Sequence, residues 1–162
     1  MCGRARVTVE PTTLANAAGL PSGTRLRRAS QYRPRHNAHP GNAAPVLYTT
    51  NGGGFAMRAM RWGLVPSYTK HGERPNHFRM FNARSETVRE RAAFSRLVTR
   101  RRCVVGFDGF YEWKSDQGGQ KQPYYIRLND DRPMLVAALY DTWRLPDEDL
   151  QETGKDKERF GT

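Results

Sequence analysis

The second residue of the chain, Cys2, combines two nucleophiles in one place. If Met1 is removed, Cys2 becomes the N-terminal residue and carries an α-amine and a thiol on neighbouring carbons. The reference pKa of an α-amine is about 8, against about 10.4 for lysine, so a sizeable fraction is a free nucleophile at neutral pH. Such a 1,2-aminothiol converts an aldehyde to a Schiff base and then to a durable thiazolidine ring. The alternative interpretation is an unused cysteine on a frayed chain end.

A carboxylate inside an aromatic run is the second candidate for chemistry. Glu112 lies in the segment GFDGFYEW at residues 106–113. Burying a carboxylate is costly unless it is paired or used, and burial would raise its pKa towards that of a proton shuttle. The alternative is an edge residue that faces water or pairs with an arginine. Asp108 in the same run has the same two interpretations, and we expect it to be a structural partner.

Two further segments carry groups suited to holding a ligand. Asn82 and Arg84 lie just before a predicted helix, where Asn82 can hold a hydroxyl or carbonyl group and Arg84 a phosphate. Arg61 and Trp62 place a basic residue beside an aromatic one, a pairing that suits base stacking in single strands. The alternatives are ordinary loop hydrogen bonding for the first pair and a core position for Trp62. Cys103 is predicted to be a buried hydrophobic residue, and the histidines lack the spacing of metal ligands.

Short strands and a few helices must position these residues. Period-two alternation and turn signals predict strands, and a capping box at 87–90 predicts a helix behind it. Asn51-Gly52 predicts a hairpin between two of the strands. The pattern indicates an α+β domain on an antiparallel or mixed sheet. The predicted strands are 2–9, 46–50, 55–62, 78–83, 103–113, 123–128 and 134–140, the helices are 11–19 and 87–98, and the long loops are 21–44 and 66–76.

The charge of the chain is concentrated in its first two thirds. The formal net charge is +11, with 19 Lys and Arg against 4 Asp and Glu in residues 1–102 and 8 against 12 in residues 103–162. Arginine dominates, and its planar fork of donors grips phosphates and stacks on bases. This favours a nucleic-acid binder, with a merely solubilising surface as the alternative. No apolar stretch is long enough for a membrane span and the start has no secretory pattern, so we expect an intracellular protein of the nucleus or cytoplasm.

Several longer segments, in order along the chain, resemble the abasic-site-processing family, also known as SOS-response-associated peptidases. The resemblance extends from residue 1 to about residue 144. The matching segments are MCGR at 1–4, NAHPGNAAPVL at 37–47, MRWGLVP at 60–66, NARSET at 82–87, RRCVV at 101–105, DGFYEW at 108–113, QPYYI at 122–126 and ALYDTW at 138–143.

The resemblance implies a fold and a reaction. The fold would be α+β, with a barrel-like core of mixed or antiparallel sheet, a few short helices and a basic DNA channel. The reaction would be capture of the aldehyde of a ring-opened abasic site in single-stranded DNA. The product would be a protein–DNA crosslink that shields the lesion at replication forks, formed by a monomer without cofactor, metal or membrane, with a lyase-type activity alongside.

The resemblance also implies roles for individual residues. The nucleophile falls on Cys2 after removal of Met1, which the family's peptidase name attributes to the protein itself. The active-site Asn and Glu of the family fall on Asn82 and Glu112. Its phosphate contacts fall on Arg4 and Arg84. Arg61 and Trp62 are further candidate DNA-binding residues because of their residue types.

One feature departs from the family pattern and keeps two alternatives open. The family continues with a His-Asp-Arg-Met-Pro motif that this sequence lacks. We therefore expect a domain at 1–145 that is incomplete at its C-terminal end, followed by a charged loop or disordered tail at 146–162. The alternative functions are a thiol peptidase that acts on proteins, which needs a Cys–His pair, and a non-covalent binder of single-stranded nucleic acid.

Overall fold

Strands dominate the computed structural model, which describes residues 2–21, 23–70, 76–144 and 158–161. Within these ranges the chain forms eleven β-strands and two α-helices, with a 3-10 turn at Ala29–Gln31. In chain order the elements are β1 (Arg4–Val7), α1 (Pro11–Ala17), β2 (Leu26–Arg27), β3 (Arg35–Ala38), β4 (Ala43–Thr49), β5 (Phe55–Arg61), α2 (Ala92–Ser95), β6 (Arg102–Phe107), β7 (Gly109–Ser115), β8 (Lys121–Ile126), β9 (Met134–Leu139), β10 (Asp141–Arg144) and β11 (Glu158–Gly161).

The larger of two sheets contains seven strands. Six of them follow the order β10-β11-β5-β4-β6-β9, and β2 pairs with β5 in parallel. The antiparallel hairpin of β4 and β5 confirms the prediction from Asn51-Gly52, because its register runs without a shift from Ala43 opposite Arg61 to Thr49 opposite Phe55. This hairpin is the centre of the sheet.

The smaller sheet has the order β3-β1-β7-β8, with antiparallel pairing throughout. The run predicted as one strand from 103 to 113 is divided at Asp108, where the chain leaves the larger sheet and enters the smaller one. The Asp108 amide donates to the Arg6 carbonyl (3.0 Å), and the Asp108 carboxylate accepts the Thr8 amide. The prediction that Asp108 is a structural partner is therefore confirmed, and we call residues 107–109 the Asp108 corner.

The core lies on both faces of the larger sheet, as the alternation of its strands dictates. One face buries Val46 and Val105 in a cluster that reaches the smaller sheet. The opposite face buries Leu47 and Met57 against Leu14 of α1, which is completely inaccessible to solvent. Burial of a leucine side chain contributes about 1.5–3 kcal/mol, so Leu14, together with the buried Ala15, helps to hold this short helix against the sheet.

The predicted fold class is confirmed: an α+β chain on mixed and antiparallel sheet with short helices. The described strands form two sheets joined by the Asp108 corner, and they do not close into a barrel. Alternation within a strand indicates which face is buried, but it carries no information on whether two edge strands meet. The barrel-like closure was expected from the resemblance alone, and among the described strands it is replaced by an open two-sheet arrangement.

Two predicted elements have the wrong type. The segment predicted as a loop at 21–44 contains β2 and β3, because β3 is an edge strand whose Arg35, His36 and Asn37 are exposed and show no apolar alternation. The segment predicted as a strand at 78–83 forms turns and bends instead. Its backbone bonds to a neighbouring loop, with the Leu64 amide donating to the Met80 carbonyl at 2.9 Å.

One of the two predicted helices agrees with the structure, and the other is shorter than predicted. The helix predicted at 11–19 is confirmed as α1, which begins at Pro11, and Gly19 ends it with a φ of +67°. The helix predicted from 87 to 98 is wrong in extent, because only Ala92–Ser95 is helical and the rest is a series of turns. β-branched residues at 87–88 and 98–99 lower helix propensity at both ends of that segment. Neither described helix is long and apolar enough to cross a membrane.

The predicted boundary between a domain at 1–145 and a tail at 146–162 stays a prediction. Residues 145–157 lie outside the described residues. Residues 158–161 form β11, which pairs with β10 in antiparallel fashion and meets β5 where Gly161 lies opposite Arg61.

Candidate functional site

Cys2 lies just before β1, and its side chain is half-buried. Its thiol donates a hydrogen bond to the Arg4 carbonyl at 3.0 Å. Burial is the main cause that raises the pKa of the Cys2 thiol above its usual value, and backbone hydrogen bonding at Arg4 and Tyr111 offsets part of the rise. The side chain is therefore a neutral thiol near neutral pH, and a second group, which is charged, acts on it.

That second group is Glu112 of β7. β7 pairs with β1 so that Tyr111 lies opposite Arg4, and the next position along β7 is Glu112, on the side towards Cys2. After burial, the negative charge of Glu112 is a further cause that raises the pKa of the Cys2 thiol. The pairing of β1 with β7 thus brings together two residues that are 110 positions apart in the sequence.

Asn82 holds Cys2 from the other side. Its side-chain amide donates to the Cys2 carbonyl at 2.7 Å, across a separation of 80 residues. The segment that carries Asn82 is itself anchored, because the Trp62 indole N–H donates to the Phe81 carbonyl at 2.9 Å and the two rings meet edge to face. Trp62 therefore positions the loop that positions Cys2.

Cys2 and Asn82 line a cleft of about 590 Å³, here called the Cys2 cleft. Its walls are largely aromatic and aliphatic and include Trp62, Phe81 and Phe107. Electrostatic interactions strengthen when water is displaced from such a surface, so a charge that develops at Cys2 would be sensitive to Glu112. The structure thus brings the three predicted catalytic residues together, while their catalytic roles remain predictions.

The predicted DNA-binding residues differ in exposure. Arg4, Arg61 and Arg84 are exposed. The Arg4 guanidinium donates to the Asn37 side-chain oxygen at 3.3 Å, and that of Arg61 donates to the Gly41 carbonyl at 2.9 Å. Trp62 is only 8% exposed and belongs to the core. Its position favours the alternative interpretation as a core residue over a stacking platform for bases.

The remaining cysteine and two of the described histidines, His39 and His77, have structural surroundings. Cys103 is buried, and burial raises the pKa of its thiol to about 12. The ring nitrogens Nδ1 of His39 and His77 lie 2.7 Å from the carbonyl oxygens of Pro40 and Gly63. His71 lies outside the described residues, and within the described ranges no three His, Cys, Asp or Glu side chains are grouped as metal ligands would be.

Tyr68 is a further candidate that no sequence pattern indicated. Its ring is 63% exposed, and the Arg96 guanidinium carbon lies 5.1 Å from the ring centroid. An exposed ring beside a guanidinium can stack a base. In the sequence Tyr68 is an isolated aromatic residue in a polar loop, so exposure, which decides its use, could not be read from the pattern.

Comparison with known proteins settles the family. The model of the SRAP family, described as SOS response associated peptidase, matches residues 1–156. The chain belongs to this family. The resemblance stated from the sequence is thereby confirmed at family level.

Relatives of this chain are found in animals, fungi and bacteria. It is 36% identical over 173 residues to the abasic site processing protein HMCES of Mus musculus, covering 90% of this chain and 49% of that protein. It is 37% identical over 110 residues to the abasic site processing protein YMR114C of Saccharomyces cerevisiae, covering 68% and 29%. For YoaM of Bacillus subtilis, which has the same descriptive name, the identity is 33% over 113 residues, covering 70% and 48%. The chain thus spans about half the length, or less, of these relatives.

Solved structures support the fold. A protein from Bacteroides thetaiotaomicron superposes with a TM-score of 0.73 at 22% identity, covering 99% of this chain and 66% of that one. A phage-related protein from Bordetella bronchiseptica gives 0.64 at 27% identity, covering 99% and 67%. The two-sheet architecture therefore occurs in larger chains of experimentally known structure.

Proposed function

We propose that the chain, after loss of Met1, captures the aldehyde of an abasic site in single-stranded DNA through Cys2. The observation that carries the proposal is the placement of Cys2 in an apolar cleft, with its carbonyl held by Asn82 and Glu112 acting on its thiol. The names of its relatives, which refer to abasic site processing, support the same substrate class.

The chemistry proceeds in two balanced steps. The α-amine of Cys2 attacks the aldehyde carbon, a C–N bond forms, and the oxygen leaves as water to give an imine. The thiol then adds across the C=N bond, so that sulfur bonds to carbon and the thiol proton ends on nitrogen. The product is a five-membered thiazolidine, which is more durable than the imine because two bonds to carbon must break in succession for release.

Asn82 and Glu112 have separate roles in this scheme. Asn82 binds the carbonyl oxygen of Cys2, which takes no part in the reaction. It therefore orients the amine and the thiol of Cys2 without blocking either. Glu112 moves protons: its carboxyl group donates to the departing hydroxyl and accepts from the thiol as sulfur attacks. The lyase-type activity inferred from the resemblance would use the same imine.

The exposed arginines supply the contact to the DNA backbone. Arg4 begins β1, just after Cys2, and Arg84 follows Asn82 by two residues. Phosphates on either side of a captured sugar would therefore contact these two arginines, and a more distant phosphate would contact Arg61. Guanidinium groups bind phosphate by paired hydrogen bonds. Action as a monomer at replication forks, in nucleus or cytoplasm, belongs to the same proposal.

The thiol-peptidase alternative has less support from the site. A cysteine peptidase needs a base, usually histidine, next to its thiol. Among the described residues, the groups that act on the Cys2 thiol are Glu112 and the backbone of Arg4 and Tyr111. Self-removal of Met1, in contrast, uses the same residue, and intact mass spectrometry of the wild type and of Cys2→Ala would test it.

A denaturing gel tests the proposal. The purified chain, shown to be folded by circular dichroism, is incubated with a single-stranded oligonucleotide that bears one abasic site, and with an intact oligonucleotide. We expect a shifted band that survives denaturation, requires the abasic site and disappears with Cys2→Ser. The matched control Cys103→Ser removes the other thiol and should leave the band unchanged.

Borohydride reduction separates the amine from the thiol. Cys2→Ser keeps the N-terminal amine, so it should still form an imine that borohydride traps, although it cannot close the ring. If a folded wild-type chain gives no durable band, or if Cys2→Ser gives the same band, aldehyde capture by the aminothiol is excluded. The non-covalent binder would then be the remaining function.

A further inference from the structure

A second cavity, of about 580 Å³, lies apart from Cys2 and is rich in arginine. It is lined by side chains from β2, β5 and the segment between α2 and β6, and two tyrosines, Tyr48 and Tyr140, meet edge to face in its wall. We call it the arginine pocket. Its arginines are Arg27, Arg58, Arg96, Arg100 and Arg101.

The arginine pocket lies on the same face of the larger sheet as the Cys2 cleft. β4 contributes Ala44 to the cleft and Tyr48 to the pocket, a separation of four strand residues or about 13 Å. The segment after α2 forms a wall between them, with Val98 facing the cleft and Leu97 facing the pocket. The two cavities are therefore close neighbours with separate linings.

The described residues that line the arginine pocket include five arginines and one carboxylate. Asp141 is the acidic residue among the described residues that line it, and it is 3% exposed. Its carboxylate is engaged by the Arg96 guanidinium and by the Ser67 amide, which donates at 2.7 Å. Arg100 and Arg101 are exposed, and the Arg101 guanidinium lies over the Tyr140 ring at 5.3 Å from its centroid.

We propose that the arginine pocket binds phosphate groups, at a site separate from the Cys2 cleft. Guanidinium groups from several elements converge on one concavity, and each presents a planar set of donors that fits phosphate oxygens. The cavity has the volume of a small-ligand site, so one or two phosphates can enter it. The phosphate can belong to a strand that continues from the Cys2 cleft or to a free phosphorylated compound. The proposal does not depend on the aldehyde chemistry of Cys2.

The test compares two pairs of substitutions in a Cys2→Ala background, where no crosslink forms. Arg100→Gln with Arg101→Gln removes two charges from the pocket. Arg89→Gln with Arg91→Gln removes two charges from exposed arginines of the preceding segment that line neither cavity. Binding of pyrophosphate is measured by calorimetry, and binding of an intact single-stranded oligonucleotide is measured over a series of salt concentrations.

We call the substitutions at Arg100 and Arg101 the pocket pair and those at Arg89 and Arg91 the control pair. The pocket pair should weaken pyrophosphate binding roughly tenfold, about the effect of losing one charge-assisted hydrogen bond, and the control pair should leave it unchanged. If the phosphate belongs to a DNA strand, the slope of log K for oligonucleotide binding against log salt concentration also becomes shallower by about 1.4, because each of the two lost phosphate contacts removes about 0.7. A change in pyrophosphate binding alone identifies a free phosphorylated ligand, and a change in the oligonucleotide slope alone identifies the strand. If neither quantity changes, or if both pairs change them equally, the arginine pocket is not a phosphate site.

A crosslinking experiment distinguishes this proposal from the one for Cys2. It uses the Arg100→Gln, Arg101→Gln variant with Cys2 intact. At saturating protein concentration the crosslinked fraction should equal that of the wild type, because the aminothiol and its cleft are untouched. Failure of the crosslinking experiment leaves the phosphate measurement valid, since that measurement uses chains without Cys2.

Discussion

The Cys2 cleft and the arginine pocket have similar volumes and share a sheet face, yet they are built from different kinds of residues. The walls of the cleft are core residues such as Trp62, whereas the pocket is bounded by exposed guanidinium groups such as Arg101. A covalent site needs its nucleophile held in one place, and packing provides this. A site that attracts anions needs positive charge near solvent, where a charged group keeps its hydration and little free energy is lost. The walls of the cleft are thus part of the core, whereas the guanidinium groups of the pocket lie at the surface above buried residues such as Leu97 and Tyr140.

The largest expected effect tests that contrast through stability. Trp62→Ala should lower the free energy of unfolding by about 3–5 kcal/mol, because it removes a buried indole and its hydrogen bond to the Phe81 carbonyl. Arg101→Gln should change it by no more than about 0.5 kcal/mol, as is usual for a surface position. Urea denaturation of both variants measures the difference, and equal effects would show that the cleft is no more a part of the core than the pocket.

A smaller effect concerns the hydrogen bond that orients Cys2. Asn82→Ala should slow crosslinking to an abasic oligonucleotide about tenfold, since one hydrogen bond of roughly 1 kcal/mol or more is lost at the reacting residue. Binding of an intact oligonucleotide should be unchanged. Asn16→Ala, on the exposed side of α1, is the control. An unchanged crosslinking rate in Asn82→Ala would remove Asn82 from the proposed site.

The smallest effect is on the titration of Cys2. Burial, followed by the negative charge of Glu112, raises the pKa of the Cys2 thiol, so Glu112→Gln should lower that pKa. The thiolate then forms at lower pH, and the pH profile of alkylation should move towards acid in a Cys103→Ala background. Glu90→Gln, an exposed carboxylate on another segment, should leave the profile in place. A shift towards alkali would mean that Glu112 does not act on Cys2 through its charge.

The sequence predicted the local features of this molecule better than its long-range contacts. The hairpin at Asn51-Gly52 and the strands around it follow from turn chemistry and alternation, and both are found. Cys2 could be singled out because an N-terminal aminothiol has distinctive chemistry and because the surrounding motifs resemble a known family. The edge strand β3 was missed, since exposed strands such as Arg35–Ala38 carry no hydrophobic period.

The assembly of both sites depends on pairings that no local pattern encodes. The contact between Asn82 and the Cys2 carbonyl spans 80 residues. The arginine pocket needs β2 to lie parallel to β5, which places Arg27 beside Arg58, and needs the turns after α2 to bring Arg100 next to them. In the sequence these arginines are scattered charges, and their convergence is visible only in three dimensions.

The Asp108 corner limits which changes of chain length this protein can tolerate. Residues 107–109 join β6, which carries Cys103, to β7, which carries Glu112, and Asp108 ties the corner to Thr8 just beyond β1. Side chains of a strand alternate between its two faces, so one inserted residue at the corner would turn every side chain of β7 to the opposite face and move Glu112 away from Cys2. Insertions should therefore accumulate in turns such as 116–120, where the same change would shift only the edge strand β8, and not in this three-residue joint.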